Sequence, residues 1–274
     1  MQQHSGVFRV RRTEPEAEPV QILDMCMAPG GFLLRALQEN TNGRAVAFSL
    51  PPDSMGHEVL LPKKALGRVD LKYLDVTMLA EDMGMSGIPQ NHAEAKAFLP
   101  RQIEENDKFD LVFCDGQVLR KHQQLEYREA REVHRLTNTQ LAIGLEHMRP
   151  GGSMVVLLHK VEKWETVCLL RCFSQFARVK LYKPRAGHTK RSSFYMLAAK
   201  IQSHSAEAQA AVKRWKSVWR AATFGSQEEF EAVQKENDVS AEAMLDEFGD
   251  RLVELGRHIW RIQAPALARA SFVK

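Results

Sequence analysis

The chain has 274 residues, 44% of them hydrophobic and 26% charged, and carries a formal net charge of +4 at pH 7. That length suits one dominant core with an appended segment, and the composition is that of a soluble globular protein. No apolar run approaches the roughly 18 residues of a membrane span and the N-terminus shows no secretion signal, so an intracellular protein without a membrane partner is expected, whether nuclear, cytoplasmic or mitochondrial.

Residues 1–19 include "RVRRTEPEAEP", with two prolines and no sustained periodicity, and read as an N-terminal arm or an incomplete preceding element. From Val20 the pattern alternates: "VQILDM" as a strand, "GGFLLRALQEN" as a helix, then strands at "GRAVAFSL", "VDLKYLDV" and "FDLVFCDG". A helix over "REAREVHRLTNTQLAIGLEHM", a strand at "GGSMVVLLH" and a helix over "WETVCLLRCFSQF" follow. Continuous apolar runs such as "LVFC" and "MVVLL" suit strands covered on both faces, and their alternation with helices predicts an α/β fold with a parallel sheet. The last two strands, "RVKLYKP" and "SSFYMLAAK", have no helix between them and are expected to pair antiparallel at an edge. Cys168 and Cys172 share a helical face, where they are either metal ligands or, with no matching His or Cys pair nearby, buried core.

Between Asp75 and Lys108 runs a connection rich in Met, Gly and Pro, which predicts either a functional cover or a disordered segment. After Lys200 helical patterning takes over, in "AEAQAAVKRWKSVWRAATFG" and then in Leu245, Phe248, Leu252, Leu255 and Ile259 at spacings of three and four. Trp215 and Trp219, four apart, are read as a packed helix face or as base-stacking rings. The expected organisation is an arm over 1–19, an α/β domain over 20–200 and a helical C-terminal extension over 201–274. Charge is uneven along the chain: Gln227 to Glu254 holds ten acids and two basic residues, a net −8, which leaves +12 on the remainder. A basic body favours an anionic partner, and the acidic helical segment is a place for a protein partner or for packing on the sheet.

The stretch "ILDMCMAPGGF", Ile22 to Phe32, ends an apolar strand on a glycine pair that turns into a helix, bringing main chain close to a ligand's polar end. The phosphate-binding fingerprints GxGxxG and GxxxxGK[ST] are absent. A ligand with a zwitterionic amino-acid end and an adenosine end fits better. "DMCMAPGGF" resembles the S-adenosylmethionine motif of FtsJ/RrmJ-type methyltransferases, and "YLDVT", "FDLVFCDG", "RPGGSMVVLL" and "YKPRAGHTKRSSFYMLAAK" follow in the order of that family, over Val20 to Lys200. "CDGQVLR" and "KRSSFY" are similar to its fungal FtsJ-like branch. The resemblance implies a Rossmann-like, seven-stranded, mostly parallel sheet with helices on both faces, S-adenosylmethionine as cofactor, and the 2'-hydroxyl of an RNA ribose as the usual acceptor.

It also implies cofactor contacts at Cys26, Ala28, Pro29, Gly30, Gly31 and Phe32, with Asp24 orienting the turn or the methionine ammonium. Ser49 and Leu50 stand where the family often has an acid, Asp75 and Val76 fall on the adenine side, and Asp115 borders the cofactor. Asp75 is equally readable as a cap or turn residue, and Asp115 as a turn aspartate before glycine.

For transfer to a hydroxyl the family uses a Lys-Asp-Lys-Glu tetrad, of which Asp115 matches the Asp. No lysine precedes Lys63, so the first member is missing unless Arg9, Arg11 or Arg12 approaches. Leu157 holds the second lysine's place, and Ser193 that of the glutamate. Side chains alternate along a strand, so His159 shares the face of Leu157 while Lys160 starts on the other; both are candidate substitutes, a strand-end contact for His159 and a solvated Lys160 being the alternatives. From Arg178 to Arg191 six basic residues and His188 occur with no acid. Lys183, Arg185, His188, Lys190 and Arg191 are therefore candidate phosphate contacts, with Tyr182 or Tyr195 able to stack and Arg120, Lys121, Arg128, Arg131 and Arg135 as an extension, or all of these form a solvated basic edge. Three functions are weighed: an RNA 2'-O-methyltransferase, a methyltransferase for a small molecule or protein, and a cofactor- or RNA-binding module without catalysis.

Overall fold

The computed structural model describes residues 1, 6–11, 18–118, 128, 130–185, 187–235 and 239–271. In chain order the elements are β1 (Gln21–Asp24), α1 (Gly31–Glu39), β2 (Arg44–Ser49), α2 (Lys63–Leu66), β3 (Val69–Tyr73), β4 (Phe109–Cys114) and α3 (Glu132–Glu146), followed by β5 (Met148–His159), α4 (Trp164–Phe176), β6 (Arg178–Tyr182), β7 (Ser193–Ala199), α5 (Ala206–Phe224), α6 (Gln227–Lys235) and α7 (Ala241–Ala268). The strands form one seven-stranded sheet in the order β3-β2-β1-β4-β5-β7-β6. Strands β1 to β5 pair in parallel, and β7 runs antiparallel to both β5 and β6, so the pair without an intervening helix closes the sheet as its spacing predicts.

Alternation within the strands divides the core between the two faces. Ile22, Leu111, Phe113, Val155 and Leu197 point to one side, where α1, α2 and Phe8 cover them. Leu23, Val112, Cys114, Met154, Val156 and Met196 point to the other, under α3, α4 and α5. Both faces are apolar, which is why these strands read as continuous hydrophobic runs. Phe8 is 3% exposed and its ring lies 5.5 Å from that of Phe113. Asn40 fastens this segment by donating to the Phe8 carbonyl and accepting from the Val10 N–H.

The "VDLKYLDV" run leaves the sheet after Tyr73, and Val76–Met78 instead form one 3-10 turn capped by Asp75, whose side chain accepts from the Thr77 N–H. The connection that follows is neither a disordered segment nor a detached cover. It buries Leu79, Ala80, Met83, Met85 and Ile103 in the larger core, and the Asp82 carboxylate accepts from the N–H groups of Gln102 and Ile103. Against it lies α5. Trp219 is completely buried, and its indole N–H donates to the Thr77 carbonyl at 3.0 Å. Trp215 stacks on Phe173 at 5.8 Å. The tryptophans are therefore packing residues, not a platform for bases. Cys168 and Cys172 likewise pack at the margin of the core, and among the described residues no His, Cys, Asp and Glu group is arranged to hold a metal. Helix α7 lies along the edge strand β6, where Arg251 donates to the Val179 carbonyl, and against α4, where Glu247 pairs with Arg171. No helix among the described residues is long and apolar enough to cross a membrane.

Candidate active site

The C-terminal ends of β1 to β4 and the facing ends of β5 and β7 open into a pocket of about 620 Å³, a size that suits a nucleoside-bearing ligand. Its position at the strand tips follows from the crossover geometry, which leaves a crevice where neighbouring connections depart to opposite faces of the sheet. The turn after β1 forms one wall through Cys26, Ala28 and Pro29; Ser49 and Leu50 come from the tip of β2, Asp75 and Val76 from beyond β3, and Asp115 and Gly116 from the end of β4.

The β1–α1 turn is held from several sides. Met27 N–H donates to the Phe48 carbonyl, and Leu60 N–H to that of Pro29. Gly30 adopts φ +105°, and a Cβ there would lie 2.8 Å from the Leu61 side chain, so only glycine fits without displacement. Gly30 and Gly31 shape this turn and do not themselves border the pocket, and Phe32 faces the opposite way, into a cluster with Phe8, Phe113 and Tyr195 at 5.2–5.7 Å. Helical periodicity explains the orientation, because Phe32 lies on the inward flank of α1. Asp24, 3% exposed, sits beneath the turn and accepts from the Cys26 N–H.

Three carboxylates set the electrostatics. Burial, followed by repulsion from Asp115, pushes the Asp24 carboxyl up to about 8 against the pull of the Cys26 N–H. Burial pushes Asp115 up to about 6, opposed by the Tyr195 hydroxyl, which donates to Oδ1 at 3.3 Å. Asp115 Oδ2 has no partner among the described residues. At Asp75 burial also works against charge, but the Arg128 guanidinium and hydrogen bonds from Arg128 and Thr77 outweigh it and hold the carboxyl below its usual range. The Cys26 thiol is driven well upward by burial and then by all three acids, which leaves it protonated and a poor nucleophile. Burial and then the Asp115 charge raise the Tyr195 phenol, so it remains a donor at neutral pH.

Of the catalytic candidates, Asp115 borders the pocket, while His159 and Lys160 do not. The His159 ring meets Ser192 Oγ at 3.1 Å, and burial followed by Lys163 and Lys183 lowers its pKa. Lys160, at φ +49°, turns the chain out of β5 and donates its N–H to the Ser192 carbonyl. The histidines that do reach the pocket are His57 of the rim and His188, on the β6–β7 loop, the latter with its Nδ1 2.9 Å from Ser193 Oγ. Burial, then Arg191, Lys183 and His159, lowers the pKa of His188. Leu157 sits in the wall, and no lysine lines the pocket among the described residues.

The basic candidates divide. Lys183 is 1% exposed and donates to the carbonyls of Arg191 and Ser193 at 2.7 and 3.0 Å; it closes the β6–β7 loop and is not open to a phosphate. Arg185, Lys190 and Arg191 are exposed on that loop. The proposed extension of the strip is overturned at three positions. Arg128 is bound to Asp75, Glu94 and Glu132, Arg131 to the Gly225 carbonyl and Gln227, and the fully buried Arg135 to Glu132, Thr223 and the Thr77 carbonyl. Arg12, Arg120 and Lys121 lie outside the described residues, and Arg9 and Arg11 do not border the pocket. Residues that sequence alone did not single out are Thr77, Glu132 and the rim over Pro51 to His57. The signal for the rim is Gly56, where a Cβ would fall 1.8 Å from the Leu50 carbonyl oxygen.

The walls fit a cationic, hydroxyl-bearing ligand. Carboxylates border the cavity, and the one guanidinium that lines it among the described residues, that of Arg128, is already committed to acids. At Gly116 a Cβ would lie 2.3 Å from Cys26 Sγ and 2.9 Å from Gln140 Oε1, so the backbone there is drawn as close to the cavity floor as glycine permits.

The family described as FtsJ-like methyltransferase matches residues 2–201. Among curated proteins none matches the chain. Solved structures similar to it include a putative rRNA-methylase from Clostridium thermocellum, at 14% identity and TM-score 0.44 over 73% of this chain and 96% of the other. A putative methyltransferase from Streptococcus mutans in complex with SAH matches at 14% identity and TM-score 0.39, again over 73% and 96%. An O-methyltransferase family protein from Burkholderia thailandensis matches at 13% identity and TM-score 0.40 over 73% of this chain, which spans only 54% of that longer one.

Proposed function

Because the chain belongs to the FtsJ-like methyltransferase family, we propose that it methylates RNA at a ribose 2'-hydroxyl. Its cofactor is S-adenosylmethionine, which when bound supplies a methyl group activated by a sulfonium. The observation that carries the acceptor reading is Asp115, which borders the strand-tip pocket with Oδ2 unengaged among the described residues and a carboxyl at about 6.

Such a carboxylate is mostly ionised at neutral pH yet basic enough to take a proton, the compromise that general-base work requires. Oδ2 is the atom to accept the hydroxyl proton, while Tyr195 holds Oδ1 and thereby the carboxylate plane. Asp24 supports the turn from below as a protonated acid. Asp75, ionised by Arg128, presents an acceptor to the nucleoside end, with Ser49 and Leu50 at its flank. His188 borders the pocket that Asp115 also borders, where the sequence pattern offered His159 or Lys160, and the exposed Arg185, Lys190 and Arg191 supply positive charge to RNA phosphates outside the pocket. Positioning accounts for most of the rate in an in-line displacement of this kind.

A second reading, a cofactor-binding module without turnover, is favoured by Leu157, an apolar wall residue where the FtsJ pattern has lysine, and by Ser193, whose hydroxyl is bonded to His188. Incubation of total RNA with methyl-labelled cofactor separates the two. Ribonuclease-sensitive label with wild type, and background with Asp115→Asn, is expected. Background with both proteins, while the nucleoside still binds, would establish the module instead; label in a ribonuclease-resistant fraction would make the acceptor a protein or small molecule.

A further inference from the structure

A second cleft, of about 560 Å³, lies between the β6–β7 loop and the C-terminal part of α7. Arg185 and Lys190 line it from the loop, and Arg261 and Arg269 from the helix, with Thr189 and Ile262 between them. All four cations are exposed, and none is paired with a carboxylate among the described residues. Arg269 donates Nε–H to the Pro265 carbonyl at 3.1 Å, which anchors the side chain on its helix without using either Nη group. Arg261 and Arg269 are two i, i+4 steps apart and so share one face of α7.

The helix is polar in its charge. Its first half carries Glu242, Asp246, Glu247, Asp250 and Glu254, whereas from Leu255 to the end of the chain there is no acid and four arginines or lysines occur. The basic half is the one that meets the loop. The same loop forms a wall of both cavities: His188 borders the strand-tip pocket and the next residue, Thr189, borders the cleft, their Cα atoms being about 3.8 Å apart. A chain of nucleotides leaving the pocket over this loop meets the cleft at once.

We propose that this cleft, completed by Arg261 and Arg269 of α7, holds the phosphodiester backbone of the RNA next to the nucleotide seated at Asp115. The inference rests on the RNA reading above and extends it to the C-terminal helix, which lies beyond the residues matched by the family. Three of the four cations are arginines, whose planar forks suit phosphate oxygens. A concave site with no acid in its lining among the described residues is set against a backbone of regular negative charge, so affinity comes from phosphate contacts and carries no base preference.

The test is fluorescence anisotropy of a labelled single-stranded RNA across a salt series, with calorimetry of S-adenosylhomocysteine on the same protein. Arg261→Glu/Arg269→Glu is expected to weaken RNA binding by roughly tenfold or more and to reduce the slope of log K against log salt by about 1.4 for two phosphates lost. Nucleoside binding should stay as in wild type. Arg185→Glu/Lys190→Glu, on the opposite wall, should reproduce the effect, and Arg261→Lys/Arg269→Lys should retain most of the affinity. If wild type binds RNA and both charge-reversed variants match it in affinity and slope, the cleft is not the site, and the RNA reading stands without it. If wild type binds the nucleoside and no RNA, both fall together.

Discussion

Lowering the pH from 7 to 5 is expected to weaken binding of S-adenosylmethionine by about tenfold through a single carboxyl, that of Asp115. Burial sets it at about 6 in the free protein, against the Tyr195 hydrogen bond. Its ionised fraction then falls from roughly nine-tenths at pH 7 to roughly one-tenth at pH 5, a loss of about 1.4 kcal/mol for a ligand that needs the charge. The sign follows from the ligand: a sulfonium and an ammonium favour the carboxylate and draw its raised pKa down, so binding releases a proton and strengthens as pH rises through about 6. Asp24, near 8, stays protonated throughout that window and adds little to the change. His188 works in the same direction when it protonates, because a second cation then enters the pocket wall. Calorimetry of wild type, Asp115→Asn and His188→Gln separates the two: the Asp115 variant should lose most of the pH dependence and the His188 variant keep it. S-adenosylhomocysteine, without the sulfonium charge, should show a shallower curve. An Asp115→Asn profile superimposable on wild type, or wild-type affinity that rises on acidification, would refute the electrostatic account of the pocket.

Asp24→Asn is expected to flatten the dependence of stability on pH. The Asp24 carboxyl is raised from 3.8 to about 8 in the folded chain, so the folded state holds a proton that the unfolded state has released; the associated stability is complete below about 4 and is lost as pH rises through about 8. Urea unfolding at pH 6 and pH 8.5 should therefore show a fall for wild type that the variant lacks. Gly116→Ala drives a Cβ to 2.3 Å from Cys26 Sγ and 2.9 Å from Gln140 Oε1; nucleoside affinity should drop by more than tenfold in calorimetry, with a stability loss of about 1–3 kcal/mol. Arg135→Ala leaves the buried Glu132 without one of its two cations and takes from the Thr77 carbonyl one of its two donors, the Trp219 indole remaining. A loss of about 3–5 kcal/mol in urea unfolding is expected, and Arg135→Met, which refills the volume, should not restore it.

The sheet was legible because both of its faces are buried, which writes apolar runs such as "LVFC" and "MVVLL" directly into the chain. The strand-tip turn was legible for a different reason: Gly30 at φ +105° leaves little choice of residue. Less could be read where partners are distant. Nothing periodic in the 75–108 connection announces that Leu79 and Met83 are core, because the surface they bury against is α5, more than a hundred residues later. Arg128, Arg131 and Arg135 looked like one basic strip, yet their carboxylate and carbonyl partners come from Asp75, Glu94, Glu132 and Gly225. Strand parity placed His159 correctly on the Leu157 face of β5, but the strand reaches past the pocket there, and a loop whose path the sequence did not show brings in His188 instead. The second cleft was half legible: Arg185 and Lys190 stood in the basic run, while Arg261 and Arg269 were overshadowed by the acids that precede them on the same helix.

The most direct test of the central claim is mass spectrometry of nucleosides digested from RNA after reaction with isotopically labelled S-adenosylmethionine. Wild type should place the labelled methyl on ribose, as a 2'-O-methyl nucleoside, and Asp115→Asn should place none. Label on a base, or undiminished ribose label with the Asp115 variant, would contradict it.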